Sequence, residues 1–498
     1  MRWLFADQLG PHHLDGLGDD DEVLLVEARS VLRRRRFHRQ KAHLVLSALR
    51  RRAGELGDRV TYVRAETYGE ALERLGRDVE VLQPTSWAAD RFVRAHPRVT
   101  AVREDLSFAT SRERFRAWAD GRGSRRLLLE DFYREQRLHH GLLLDGDDPE
   151  GGRWNYDHEN RERPPRGARV LSDHVEVPEP WWPDEDDVDA RVRADLDRWT
   201  ADGDVTTVGD DGPRWVAGSR AEALAALDAF VAGRLATFGP WEDAMLAADH
   251  TMSHSVLSPP LNLGLLHPLE LARAAEGAYR RGEAPLASVE GFVRQVVGWR
   301  EYVWGLYWHL GPDYRARNAL EATERVPDWF ADLDVAGTVD AACLSGVLGD
   351  LRRTGWVHHI PRLMVLGGWA LQRGYDPAEV TSWFHESFLD GYDWVMLPNV
   401  VGMSQHADGG IMATKPYTSG GAYVDRMSDY CGGCRYDPKV RVGEDACPYT
   451  AGYWAFLDRQ ADRLRRNPRM RQVYAGLERL ADRDAVVAQE RARGDTAP

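Results

Sequence analysis

The chain has 498 residues, 43% of them hydrophobic, which is enough for two or more domains with cores of their own. A formal net charge of −14 excludes a protein that coats nucleic acid unspecifically, while leaving room for a local basic groove. Four cysteines exclude a disulfide scaffold, no apolar run is long enough to span a bilayer, and the N-terminus lacks a signal-peptide plan. A cytoplasmic monomer with no membrane partner is therefore expected.

Residues 1–130 alternate between short apolar runs and helical patterns. Trp3–Ala6, Val23–Val26, Val60–Val63 and Val79–Leu82 read as strands, and Phe37–Arg52 and Ala89–Ala95 as helices. This is the pattern of βαβ units around a parallel sheet. Ligands of such sheets bind at the carboxyl ends of the strands. Asp7 and Gln8 follow the first strand and Glu27 ends the second, so they are candidate ligand positions as much as plain loop and cap residues. No G-x-G-x-x-G follows the first strand, so a dinucleotide fingerprint is absent. The run Arg33–Arg36 reads as a solvated helix face, with phosphate binding as the lesser option.

From 131 to 220 the pattern breaks down. Gly151-Gly152, Pro164-Pro165, three further prolines and the acidic run Asp184–Asp187 predict a long connection between domains. Arg161, Arg163, Arg166 and Arg169 in it suit phosphate contacts or a solvated loop. From 221 to 498 alanine-rich helical periodicity predicts a large all-α unit. Helices are expected over 291–308, 344–353, 361–373 and 378–389.

Chemistry-bearing residues concentrate in this helical unit. Ser253-His254-Ser255-Val256-Leu257-Ser258-Pro259-Pro260 is a hydroxyl-rich turn before a helix, which suits a phosphate or a plain N-cap. Trp299-Arg300-Glu301 lies on an aromatic helix, and its charged pair needs partners if buried. His358-His359 puts two imidazoles at a helix entry, where a proton donor near neutral pH is plausible chemistry. Asp390-Gly391-Tyr392-Asp393 and Pro398-Asn399 form a polar, irregular stretch after the helix bearing Trp383. Cys431-Gly432-Gly433-Cys434 followed by Cys447-Pro448 reads as a metal site, with Cys343 as the remaining candidate ligand. The spacing suits an iron–sulfur cluster or zinc, with ordinary buried thiols as the bland alternative.

Together these pieces resemble the cryptochrome/photolyase family. The order matches: an α/β antenna domain of Rossmann-like type, a long linker, then an all-α FAD-binding domain. The turn Ser255–Ser258 resembles the flavin-phosphate turn, with His254-Ser255 where many members have Thr-Ser. The iron–sulfur branch, bacterial cryptochromes and prokaryotic (6-4) photolyases, is closer. That likeness rests on Gly152–Asp157, His358–Met364, Leu397–Ser404 and Tyr430–Cys434.

The resemblance implies FAD near Ser255, Leu257, Ser258, Gln295, Arg300, Asp390, Asp393 and Asn399. It implies a [4Fe–4S] cluster on Cys343, Cys431, Cys434 and Cys447, and a 6,7-dimethyl-8-ribityllumazine antenna near Asp7, Gln8 and Glu27. The implied substrate is UV-damaged DNA, its (6-4) lesion flipped out of the duplex and protonated by His359 with His358 beside it. Trp383 would be the tryptophan nearest the flavin, followed by Phe384 where relatives carry tyrosine, with Trp329 and Trp394 as possible later steps of electron transfer. The competing expectations are a blue-light photoreceptor that signals without repair, and an iron–sulfur primase-like or nuclease-type protein. The last needs a carboxylate metal site, and no compelling D-x-D cluster stands in the helical half.

Overall fold

A computed structural model describes residues 1–333 and 338–498. Its N-terminal sheet has five parallel strands: β1 (Arg2–Leu4), β2 (Val23–Ala28), β3 (Val60–Ala65), β4 (Val79–Leu82) and β5 (Val99–Arg103), in the order β3-β2-β1-β4-β5. The four expected strands are present. The fifth, Val-Thr-Ala-Val-Arg, was not foreseen, because it is an edge strand with no fully buried residue. Side chains alternate across β1. Trp3 and Phe5 pack with Leu24, Val26, Val81 and the helices Tyr68–Leu75 and Trp87–Ala95. Leu4 faces the other way with Leu25, Leu82 and the helix Arg39–Leu56, and this face continues into the core of the helical unit.

The segment 131–220 is more ordered than its composition predicts. Leu129–His140 and Asp187–Ala201 are helices. The acidic run read as linker is the start of the second one. Asp186 caps the N–H groups of Val188 and Asp189, and negative charge at a helix N-terminus is favourable. Val192, Leu196 and Trp199 of this helix bury against Phe37, Ala42 and Leu46. The buried Asp189 is held by Arg214 at 2.9 Å and pairs with Arg51 of the helix Arg39–Leu56, so an ion-pair network fastens the connection to the α/β unit.

Among the described residues after 149, helices and turns account for the regular structure, with isolated bridges only. Two stretches expected as ordinary helix, Arg294–Arg300 and Pro361–Gly367, and one expected as irregular, Pro398–Ser404, are wide π-helical turns of seven residues. Such turns are rare and cluster at functional sites, because the extra residue re-aims side chains. They carry Gln295, Arg362 and Asn399. The last two turns touch directly: a Cβ on Gly367 would lie 2.8 Å from the Cβ of Ser404, so only glycine permits this approach.

The arginine run is not a solvated face. Arg33 pairs with Glu66, Arg35 with Glu386 and Arg36 with Asp332, the last two crossing to the helical unit. Lys41 makes the most buried crossing. Its Nζ donates to the carbonyls of His385, at 2.5 Å, and Gly391, at the end of the Trp383 helix and just beyond it. Burial lowers its pKa from 10.5 to about 7. The unfolded chain therefore binds more protons between those two values, and stability rises as pH increases from about 7 toward 10. Urea unfolding of wild type against Lys41→Met should show this rise in the wild type and a smaller one in the variant. Identical pH dependence in both would show that Lys41 is not its source.

Candidate functional site

The site is built where the turn before helix Ser258–Asn262, the π-turn at 361–367 and the Asp390 stretch meet. Arg362 donates to both oxygens of Asp390, at 2.8 and 3.0 Å, and Ser258 Oγ donates to the same carboxylate at 2.6 Å. Asn262 donates to the Asp390 carbonyl at 3.0 Å, and the Trp356 indole N–H points at Ser258 Oγ, 3.3 Å away. A bidentate, nearly buried pair with every remaining acceptor engaged is rigid, and removing one partner leaves an uncompensated charge. Gly391 follows in a crowded bend, where a Cβ would meet three backbone carbonyls at 2.7–3.0 Å. Trp383, 6% exposed, packs on Phe330 and Phe384, and its indole N–H has no partner among the described residues. An orphaned buried donor beside a fixed charge pair suits a heterocyclic group with acceptors of its own.

Against this lies a cluster of three histidines. The rings of His254 and His358 stack at 4.2 Å and 20°, and His359 stands 5.5 Å from His254. His254 and His358 are buried, whereas the His359 side chain is 45% exposed, with Nε2 3.6 Å from Asp243 Oδ1. Burial holds His254 and His358 well below the usual histidine range, and the neighbouring histidines and Arg362 push the same way. Around the exposed edge lie Arg161, 3.9 Å from Asp243, and Glu242, whose pKa burial raises and whose side chain Gln295 donates to. Tyr417 and Tyr423 also face Asp243 and Arg161. The linker arginine thus stands at the mouth of the histidine cluster.

Other expected positions fall elsewhere. Ser255, half-buried, lines about 320 Å³ of space with Trp181, Trp215, Phe230 and Arg234. Leu257 is a buried packing residue just ahead of Ser258. Asn399 donates to the Val395 carbonyl at 2.8 Å. Asp393 accepts from Tyr307 at 2.8 Å and pairs with Arg315. Arg300 pairs with Glu301 at 2.9 Å and lies over Phe108 and Trp394. The helix carrying these two acids' neighbours is aromatic because it packs against Phe108 and Phe115 of the α/β side. Trp394 belongs to this second cluster, whereas Trp329 packs on Phe330, which packs on Trp383.

At the sheet, Asp7 bonds Thr85, and burial raises its pKa to about 6. It faces Tyr392 of the helical unit. Gln8 is spent on the Phe5 N–H and the Gln83 carbonyl, and Glu27 on Arg50 and Tyr62.

The four cysteines come together. Cys343 opens helix Ala342–Thr354, Cys431 and Cys434 flank a 3-10 turn, and Cys447 caps helix Pro448–Arg459. They line about 320 Å³ of space with Val424, Tyr430, Tyr436 and Tyr449. All are free thiols. Burial first, then the other sulfurs, pushes Cys343 well up, and burial, the Asp425 carboxylate and then the other sulfurs push Cys431 to about 12. Thiolates gather there only around a cation. A tetrahedral zinc site, with Zn–S of about 2.3 Å, holds its sulfurs about 3.8 Å apart. Among the described residues, three-ligand groups within 4.8 Å are His254/His358/His359 and His43/Glu185/Asp189, and no three sulfurs form one. The spacing therefore favours a group larger than one ion.

Sequence reading passed over Arg362, Trp356, Asp243 and Glu242 as site residues. Arg362 stood within a quoted motif, but nothing in its spacing pointed to Asp390, 28 positions on.

Comparison with known proteins agrees with this geometry. A family model described as deoxyribodipyrimidine photo-lyase-related protein matches residues 2–207. A (6-4) photolyase of Agrobacterium fabrum strain C58 is 40% identical over 503 residues, covering 96% of this chain and 95% of that one. A bacterial class III photolyase structure from Agrobacterium tumefaciens superposes with a TM-score of 0.54 at 15% identity, covering 97% of this chain and 90% of that one. A Synechocystis sp. PCC6803 cryptochrome structure does so with 0.51 at 12% identity, covering 86% and 87%. The two structures speak for the fold alone, but identity at that level across nearly both full lengths speaks for kinship: the chain belongs to the cryptochrome/photolyase family, beside the bacterial (6-4) photolyases.

Proposed function

We propose that the protein is a light-driven DNA lyase that repairs pyrimidine–pyrimidone (6-4) photoproducts. The observation that carries this is an exposed histidine, His359, set beside two buried neutral ones and next to the Asp390–Arg362 frame, in a chain 40% identical to a (6-4) photolyase. Nothing in the site favours signalling without repair.

The residues present fit FAD: the Ser255–Ser258 turn for its phosphates, Arg362–Asp390 along its ring system, and the Trp383 N–H nearby, which lacks a partner among the described residues, while the Asn399 amide is spent on its own helix. Gln295, Arg300 and Asp393 are engaged with protein partners, and their part is to hold the walls. When bound, reduced FAD supplies one electron under blue light. The chain does the rest. Arg161 and neighbouring arginines attract the phosphates of a flipped nucleotide, making binding salt-dependent. His359 would donate a proton at the open edge to the lesion's hydroxyl, so that the C–O bond on the first pyrimidine breaks as the oxygen bonds back to the ring carbon of the second, the bond between the two bases then cleaving and the proton returning to His359. The four cysteines suit a [4Fe–4S] cluster, and Asp7 with Tyr392 suits an antenna such as 6,7-dimethyl-8-ribityllumazine at the carboxyl end of β1. Gln8 and Glu27 then shape the wall rather than touch it.

The direct test illuminates the reduced protein with an oligonucleotide carrying one (6-4) lesion and follows restored thymines by chromatography. Intact photoreduction with no restoration would refute the lyase. A second expectation concerns Trp383. Trp383→Phe should retain flavin and repair by chemically reduced protein, yet lose photoreduction of the oxidised flavin; undiminished photoreduction would exclude the Trp383–Phe330–Trp329 route.

A further inference from the structure

The functional reading uses His358 and His359, and leaves His254 unexplained. Its position is unusual. It sits in the hydroxyl-rich turn, 7% exposed, while its ring lies flat against His358 at 4.2 Å. Its buried Nε2 has no hydrogen-bond partner among the described residues. His358 likewise has an unpartnered, buried Nδ1. Two stacked, dry rings with free lone pairs are a costly arrangement unless it does something.

The charges facing the pair all oppose a proton on it. Arg234 of the preceding helix donates to the His254 carbonyl at 3.3 Å, and Arg362 stands beside His358. His250 and His359 complete the cationic side. The acids near the cluster are Glu242, which is buried and paired with Gln295, and Asp243, which contacts His359 rather than the stacked rings. Phe238 closes the remaining edge, 5.5 Å from His254.

We propose that His254 is a positioning residue for the repair site: its flat ring keeps water off His358, so that the site's proton resides on His359, at the edge the lesion reaches. This rests on the lyase reading for its purpose but not for its test. His254→Thr puts back the residue that many members of the family carry, while opening space for water on the His358 face. His254→Phe keeps the flat ring and removes both nitrogens.

The experiment follows ring carbons of histidine-labelled protein by NMR across pH, together with the pH profile of repair. In the wild type His358 should not titrate between about pH 5 and 8. In His254→Thr it should titrate in that window, and the repair profile should gain a second titrating step there, with repair falling about tenfold. His254→Phe should keep His358 silent and the profile of the wild type. Titration of His358 in the wild type overturns the proposal whatever the variants do. So does a silent His358 in His254→Thr, or a titrating one in His254→Phe. If the wild type repairs no lesion, the lyase reading fails, while the NMR arm still decides this proposal.

Discussion

His359→Asn should lower the yield of (6-4) repair by about 10²–10⁴-fold, the usual contribution of a positioned general acid. Flavin content, photoreduction and affinity for the lesion should stay close to wild type, because the His359 side chain is 45% exposed, pairing with Asp243 at 3.6 Å and touching the buried histidines only at ring edges. Asparagine keeps a donor of similar reach and loses only the transferable proton. His358→Asn should also impair repair, but with a change in stability, since that ring is 3% exposed and stacked on His254. Turnover under saturating light, measured with pre-reduced protein, separates the two effects. Repair by His359→Asn within about threefold of wild type would remove general acid catalysis at this position.

Cys343→Ser should release iron and lower the melting temperature by about 10 °C or more, as expected when several kcal/mol of metal-linked folding energy is lost from a large domain. The reason is topological. Cys343 starts one helix, Cys447 starts another, and Cys431 and Cys434 hold the turn between, so one bound group ties three separated segments. Without it, four thiols remain in a space also lined by Tyr430, Tyr436 and Tyr449, and apolar packing with the Arg435–Asp340 ion pair is left to hold those segments together. Iron and zinc analysis of the purified protein, with its visible spectrum and a thermal melt, gives the result. Stoichiometric zinc in place of iron would overturn the cluster. An unchanged melting temperature in Cys343→Ser would overturn the tie.

Both outcomes bear on how the electron route is read. Trp329 reaches Trp383 through Phe330, with ring centroids 5.6 and 4.5 Å apart. Trp394 is held T-shaped against Phe108 in another aromatic cluster.

Much of this protein was legible from its residues. Short apolar runs separated by helical patterns determined the parallel sheet, because a strand buried on both faces is apolar nearly throughout, as β2 is apart from Glu27. The same logic missed β5, which is an edge strand, half-wet, and so carries a weak pattern. Clustered cysteines, paired histidines and the Asp390 stretch were visible because soft thiolates, imidazoles and buried carboxylates are costly where no chemistry needs them.

What tertiary structure alone decided is who meets whom. Arg362 and Asp390, Ser258 and Asp390, Lys41 and the end of the Trp383 helix, and Arg161 and Asp243 are all pairs distant in sequence. Local periodicity reports which face of a helix is buried, but not which charge waits on the other side. The same limit placed Arg300 at the interdomain aromatic cluster rather than beside Asp390. It also hid His254: its spacing read as a capping turn, and only the folded chain lays its ring on His358, where burial and not sequence sets the charge of both.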